Sequence, residues 1–273
     1  MALIEARGVS YSYNGKQALS GIDLSIGSGQ FVVVLGPNGS GKSTLARLLN
    51  AIILPTQGEV SVDGHLISDK AFVFDIRKTA GLVLQNPDNQ IIGDTIEDDI
   101  AFALENMGLH PSWIDSIITD VLEQTGLTAQ RFSNPRELSG GQKQLLCIAG
   151  ILAMKGRCII LDEALSMLDC ENRRMILNLL HRLNRENGLT VVMTSQDTED
   201  ALNADLVVVL DDGKVIASGK PEVLSSEAVD GIIPKSFASS MALMLRERGV
   251  SVPDDVITED GLLKALSKKG AVG

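Results

Sequence analysis

The chain has 273 residues, 44% hydrophobic and 22% charged, a composition that excludes a disordered, collagenous or coiled-coil protein and suits one large domain with an appendage. With 24 Lys+Arg against 35 Asp+Glu the net charge is -11, which repels phosphate backbones and argues against nucleic acid as a partner. The most continuous apolar run, residues 145–154, is about half of the ~20 residues a membrane-crossing helix needs.

The opening octapeptide MALIEARG carries Glu5 and lacks the apolar core of a secretory signal, so the expected compartment is the cytosol. Residues 2–26 alternate apolar and polar around turn signals at Asn14-Gly15 and 27–29, which predicts antiparallel strands. The run FVVVL at 31–35 is apolar throughout, with three consecutive β-branched valines, as in a strand covered on both faces, and a glycine-rich turn and a helix over 42–52 follow it. Residues 58–67 suggest a hairpin turning at Asp63-Gly64. From about 95 to 126 the spacing is helical, with Leu104, Met107 and Trp113 among the apolar positions, and predicts a helical insertion.

Residues 158–161 and 189–193 are two further buried-strand candidates, with a helix over 170–187 between them; alternating strands and helices imply a parallel sheet. The segments 206–210 and 214–217 flank Asp211-Asp212-Gly213 as a closing hairpin. After Pro221 only short amphipathic pieces remain, 237–248 and 258–269, joined through Ser251-Val252-Pro253. The chain therefore divides into a domain over 1–225, with a helical subdomain at about 90–155, and a small helical extension over 226–273. Cys147, Cys158 and Cys170 show no CxxC spacing and read as reduced structural thiols.

Three motifs carry chemistry. Gly36-Pro37-Asn38-Gly39-Ser40-Gly41-Lys42-Ser43 fits the phosphate-loop pattern, directly after a strand and directly before a helix. Its glycines let backbone N–H groups turn toward phosphate oxygens, Lys42 reaches the β- and γ-phosphates, Ser43 holds Mg²⁺, and Thr44 extends the same nucleotide grip. Asp162 and Glu163 end a buried strand; Asp162 suits the orientation of Mg²⁺ through water, and Glu163 the activation of the water that attacks the γ-phosphate. Leu138-Ser139-Gly140-Gly141-Gln142 opens a helix, with Ser139 as its cap and the N–H groups of Gly140 and Gly141 as an anion nest, a second phosphate grip.

Together these three motifs resemble those of ATP-binding cassette (ABC) ATPases over about residues 1–225. The resemblance implies an α/β phosphate-loop NTPase fold with an antiparallel subdomain, a parallel-sheet core and a helical signature subdomain. It implies ATP and Mg²⁺ as ligands, and two chains that sandwich two nucleotides head to tail, each Ser139 turn closing over the other chain's ATP. It makes Tyr13 the ring that stacks on adenine, Gln85 the loop glutamine that contacts Mg²⁺ and water, and Asp169 a residue of the dimer interface, although alone Asp169 would be an ordinary helix cap. One position departs from the family: in Met193-Thr194-Ser195-Gln196-Asp197, Gln196 stands where a switch histidine is usual. His65, His110 and His181 lie elsewhere. A carboxamide can still donate without titrating, so slower hydrolysis is expected, not a dead site.

The stretch 85–108, beginning Gln85-Asn86-Pro87-Asp88-Asn89-Gln90, resembles the ATP-binding subunits of energy-coupling factor (ECF) transporters, the group that includes cobalt-type importers. That implies an ATPase at the cytoplasmic face of a membrane, paired with a second ATPase chain, identical or related. It also implies a transmembrane coupling subunit and a substrate-capturing subunit for vitamins or transition-metal ions. The extension agrees with one that holds the pair together, through Phe237, Met241, Met244 and Leu245; the alternative is that these residues simply cover the protein's own core. Alternative readings are an ATP-gated clamp with weak hydrolysis, which Glu163 argues against, and a soluble cassette ATPase acting on ribosomes or DNA.

Overall fold

In a computed structural model the described residues are 2–270; Met1 and residues 271–273, at the outer ends of the two expected regions, lie outside them. Strands β1 (Ala2–Tyr13) and β2 (Lys16–Gly27) pair antiparallel around Asn14-Gly15, both with positive φ, the conformation a tight hairpin of native twist requires. Then follow β3 (Phe31–Leu35), α1 (Lys42–Leu49), β4 (Gln57–Val62), β5 (His65–Leu66), α2 (Val73–Thr79) and β6 (Ala80–Val83). The helical part comprises α3 (Ile96–Asn106), α4 (Pro111–Thr125) and α5 (Gly140–Ala153). Next come β7 (Cys158–Asp162), α6 (Cys170–Asn187), β8 (Thr190–Ser195), β9 (Leu206–Asp211) and β10 (Lys214–Gly219), and last α7 (Phe237–Glu247) and α8 (Glu259–Gly270).

The strands form two sheets. One is antiparallel in the order β2-β1-β4-β5, and the other runs β10-β9-β3-β8-β7-β6, all parallel except the edge strand β10. Strand β3 explains why its sequence is apolar throughout. Phe31, Val33 and Leu35 face one core cluster with the helices α3 to α6, while Val32 and Val34 face a second one with α1 and the antiparallel sheet, the two-residue period of a strand buried on both sides. Fully burying side chains of this size stabilises by roughly 1.5–3 kcal/mol each before entropy is subtracted.

The register then fixes the functional edge. Leu35 lies beside Ser195, Asp162 beside Thr194, and Val83 beside Leu161, so the C-terminal ends of β3, β8, β7 and β6 line up at one rim of the sheet. Because β8 lies between β3 and β7, whatever follows Ser195 sits between the phosphate loop and the Asp162-Glu163 pair.

The sequence expectation differs from the fold in two places. The helix expected over 42–52 ends at Leu49, and Ala51 takes a left-handed φ of 56°. The helical insertion expected over 95–126 is present as two helices, which meet at Gly108 with φ of 71°. Trp113, expected on the apolar face, is 65% exposed. Helix α4 starts at Pro111 and buries Ile114, Ile118, Val121 and Leu122, and this stripe leaves Trp113 one position outside its arc.

Helices α7 and α8 share a small cluster of Ala238, Ala242, Val252, Val256 and Leu262. Met241 and Leu245 turn into it, while Phe237 and Met244 stay exposed. Val229 and Ile233, past residue 225, pack into the main core. Cys147 and Cys158 are buried free thiols and Cys170 is exposed; burial raises the Cys147 thiol to about 12. No helix among the described residues is long and apolar enough to cross a membrane.

Candidate functional site

The loop from Gly36 to Gly41 leaves β3 and delivers Lys42 as the first residue of α1. Gly41 has φ of 104°, and a Cβ there would lie 2.6 Å from the Ala18 carbonyl oxygen, so the loop follows β2 closely only because this residue is glycine. Helix α1 has no side-chain cap and no acidic residue in its first turn, whereas α3, α4, α5, α6 and α7 all carry side-chain caps. Its first N–H groups are thus left for an external anion. Ser40 Oγ, buried in the same loop, has no hydrogen-bond partner among the described residues. An orphaned hydroxyl, uncapped amides and a buried lysine together fit a polyphosphate.

Lys42 is 3% exposed. Its Nζ donates to the carbonyls of Gly36 at 2.8 Å and Pro37 at 3.0 Å, and pairs with Glu163 Oε1 at 3.0 Å. Glu163 follows β7 with a φ of 48°, a conformation that costs a non-glycine residue of order 1–3 kcal/mol. Its backbone N–H donates to Thr194 Oγ1 at 2.9 Å, and its carbonyl accepts from Ser166 Oγ at 2.7 Å. These bonds hold the turn that aims its carboxylate at Lys42.

Asp162 is buried beside it, and burial raises its carboxyl above the ordinary aspartate range, opposed by a hydrogen bond from Ser43 and the charge of Arg47. Gln196 emerges from β8 between the two motifs, as the strand order requires. Its Nε2 donates to Asn38 Oδ1 at 2.8 Å and lies 3.4 Å from both carboxylate oxygens of Glu163. Asn38, Lys42, Ser43, Asp162, Glu163 and Gln196 are therefore one connected cluster.

Gln85 lies one step out, its Nε2 3.3 Å from Ser166 Oγ; its carboxamide oxygen has no donor among the described residues. Tyr13 is exposed at the turn end of β1, edge-on to Tyr11 with centroids 4.7 Å apart. Tyr11 pairs with Leu19, whose side chain meets Gly41, so the Tyr13 end of this hairpin borders the phosphate loop. Ser139 caps α5 in a reciprocal box with Gln142, the local chemistry its sequence predicts. Asp169 caps α6, and Asn172 N–H bonds to its carboxylate lower its pKa. A Cβ on Gly141 would lie 2.6 Å from Asn172, so the Ser139 turn and the Asp169 cap are neighbours. Among the described residues no hydrogen bond or ion pair joins residues 139–142 to residues 36–44.

Sequence reasoning missed Gln144. This residue is 1% exposed and its Nε2 donates to the carbonyls of Leu84, Gln85 and Ala164, stapling α5 to the Gln85 loop and to the turn after Glu163. The one signal was a polar residue directly before the apolar run 145–154. Arg173 and the buried Asp200 were missed too, with Arg173 Nη2 2.5 Å from Asp200 Oδ2.

Comparison with known proteins places this geometry. A family model described as ABC transporter matches residues 19–166, and one for the energy-coupling factor transporter EcfA1 C-terminal domain matches 237–269. The energy-coupling factor transporter ATP-binding protein EcfA1 of Caldanaerobacter subterraneus is 40% identical, over 97% of this chain and 99% of its own. Among solved structures, cbiO1 from Clostridium perfringens, part of the ABC transporter complex cbiONQ, aligns with a TM-score of 0.78 at 31% identity, over 91% of this chain and 97% of that one. The ATP-binding cassette MJ0796, solved as a dimer in a post-hydrolysis state with ADP and Pi, aligns with a TM-score of 0.71 at 29% identity, over 80% and 98%.

Proposed function

The chain belongs to the ABC transporter family, among the ATP-binding subunits of energy-coupling factor transporters, and from this premise we propose how its residues do their work. It hydrolyses ATP to energise a membrane importer. The observation that carries the residue assignment is the cluster in which a buried Lys42 is held by Glu163 and two loop carbonyls beside an uncapped helix.

In the proposed cycle Lys42 exchanges these protein oxygens for those of the β- and γ-phosphates, while the amides of Gly39 to Thr44 take the rest of the charge. That exchange frees Glu163 to accept a proton from the attacking water. Gln196 donates toward the γ-phosphate and keeps Glu163 in place. Tyr13 stacks on adenine. Ser43, Asp162 and Gln85 offer only oxygen donors, the chemistry of a hard cation that keeps its waters, so Mg²⁺ fits them; when bound it neutralises charge on the phosphates.

The Ser139, Gly140, Gly141 and Gln142 turn, with Asp169 next to it, shares no hydrogen bond or ion pair with its own phosphate loop among the described residues and is free to grip the ATP of a second ATPase chain, a copy or a relative. In this reading residues 1–225 form the cassette, and 226–273 hold the pair together through Phe237 and Met244. The remaining partners are a transmembrane coupling subunit and a substrate-capturing subunit, with the pair seated at the cytoplasmic face of the membrane. Glu163→Gln tests the catalytic assignment: turnover falls by about 10² to 10⁴ with ATP affinity retained, and unchanged turnover refutes it.

A further inference from the structure

The segment that carries Gln196 is anchored on both sides by contacts that the reaction itself does not need. Ser195 Oγ donates to Asp200 Oδ2 at 2.5 Å, and the buried Asp200 accepts two bonds from Arg173 of α6, at 2.5 and 3.3 Å. Arg173 also pairs with Asp197 at 3.0 Å. These contacts fix residues 195–200 to the cassette.

The other side leads away from it. Thr198, 2% exposed, donates through Oγ1 to the carbonyl of Pro234 at 2.5 Å. Glu199 Oε1 accepts from the N–H of Phe237, the first residue of α7, at 2.7 Å, where a carboxylate also opposes the positive end of the helix dipole. Pro234 follows Ile233, which is buried in the main core, and Ser236 is tied to the carbonyl of Ile257 at 2.8 Å. The side chain at the catalytic cluster is thus two residues from a bond to Pro234, in the short link that enters α7, and three residues from a direct bond to α7 itself. A cavity of about 370 Å³, lined among others by Glu163, Gln196, Arg173, Asp200 and Pro234, lies against this segment and gives it room to shift.

Resting on the function proposed above, we infer that Thr198 and Glu199 are positioning residues for Gln196, through which the α7–α8 extension sets the rate of hydrolysis. The extension and the catalytic cluster are linked through these bonds. A shift of α7 strains the Glu199 bond directly and the Thr198 bond through the short link from Pro234 to Phe237, and strain there moves the carboxamide relative to Asn38 and Glu163. Reciprocally, engagement of Gln196 at the γ-phosphate biases where α7 stands. Assembly of the pair through the extension would then be read directly at the catalytic cluster.

The test is a double-mutant cycle on the full chain, reading kcat and ATP affinity separately. Glu199→Ala and Thr198→Val are expected to lower kcat about fivefold, the lower end for coupled sites, with affinity for ATP unchanged. Glu199→Gln and Thr198→Ser, which keep the acceptor and the donor, restore most of it. In a Gln196→Ala background the same two substitutions lower kcat no further. Losses that multiply with Gln196→Ala, or that Glu199→Gln and Thr198→Ser fail to rescue, overturn the inference. Unchanged turnover in Glu163→Gln, by contrast, would sink the catalytic reading on which it rests.

Discussion

Replacing Gln196 by alanine removes one carboxamide that makes one good hydrogen bond, at 2.8 Å to Asn38, and two contacts at 3.4 Å to Glu163. The side chain is exposed, so its loss changes folding stability by no more than about 0.5 kcal/mol. A larger change in rate therefore belongs to chemistry. A fully aligned donor at a site of developing charge contributes about 10² to 10³ in rate. The long contacts to Glu163 place Gln196 at the lower end, so Gln196→Ala is expected to lower kcat about 10²-fold with ATP affinity within about twofold. Gln196→His, which installs the donor usual at this position, is expected to raise turnover above wild type. Phosphate release at saturating ATP, with affinity measured separately, reads both. If Gln196→Ala turns over like wild type, the carboxamide has no donor role, and its place between Asn38 and Glu163 is structural.

Asp162→Asn is expected to stabilise the fold while reducing activity. Burial raises the Asp162 pKa, so the folded state holds this proton more tightly than the unfolded one, and the charged form costs stability as pH rises from the unfolded to the folded value. The variant should melt above wild type at pH 7 and lose that advantage in acid, below both values; a lower melting point at pH 7 would refute this. Gln144→Leu leaves three carbonyls without their donor and is expected to cost about 1–3 kcal/mol in denaturant unfolding; a loss below about 0.5 kcal/mol would deny the staple. A chain ending at residue 236 keeps Val229 and Ile233 in the core but lacks α7 and α8, and is expected to sediment as a monomer without ATP; retained association would remove the pairing role of the extension.

The phosphate loop, the Asp162-Glu163 pair and the Ser139 turn were legible because each is a contiguous run whose local geometry the residues themselves dictate. The Ser139 cap and the Asp169 cap formed as local rules require. The two-faced apolar β3 also announced itself, since a five-residue apolar run with three consecutive valines has few other uses. What stayed hidden depends on register. Nothing local says that β8 lies between β3 and β7, and that order alone brings Gln196 to Asn38 and Glu163. Gln144, Arg173 and Asp200 find their partners 20 to 60 residues away, across elements whose packing no spacing rule encodes. Trp113 misled because one residue of phase, set by the helix start at Pro111, separates a core position from an exposed one.

The most direct test of the two-sided grip on ATP is Ser139→Arg. The arginine stands at the N-terminus of α5, where it opposes the helix dipole and fills the space a phosphate would take. Turnover is expected to collapse while the isolated chain still binds ATP through Lys42, because in the proposed cycle the Ser139 turn serves the nucleotide of the other chain. Turnover at the wild-type rate would contradict it.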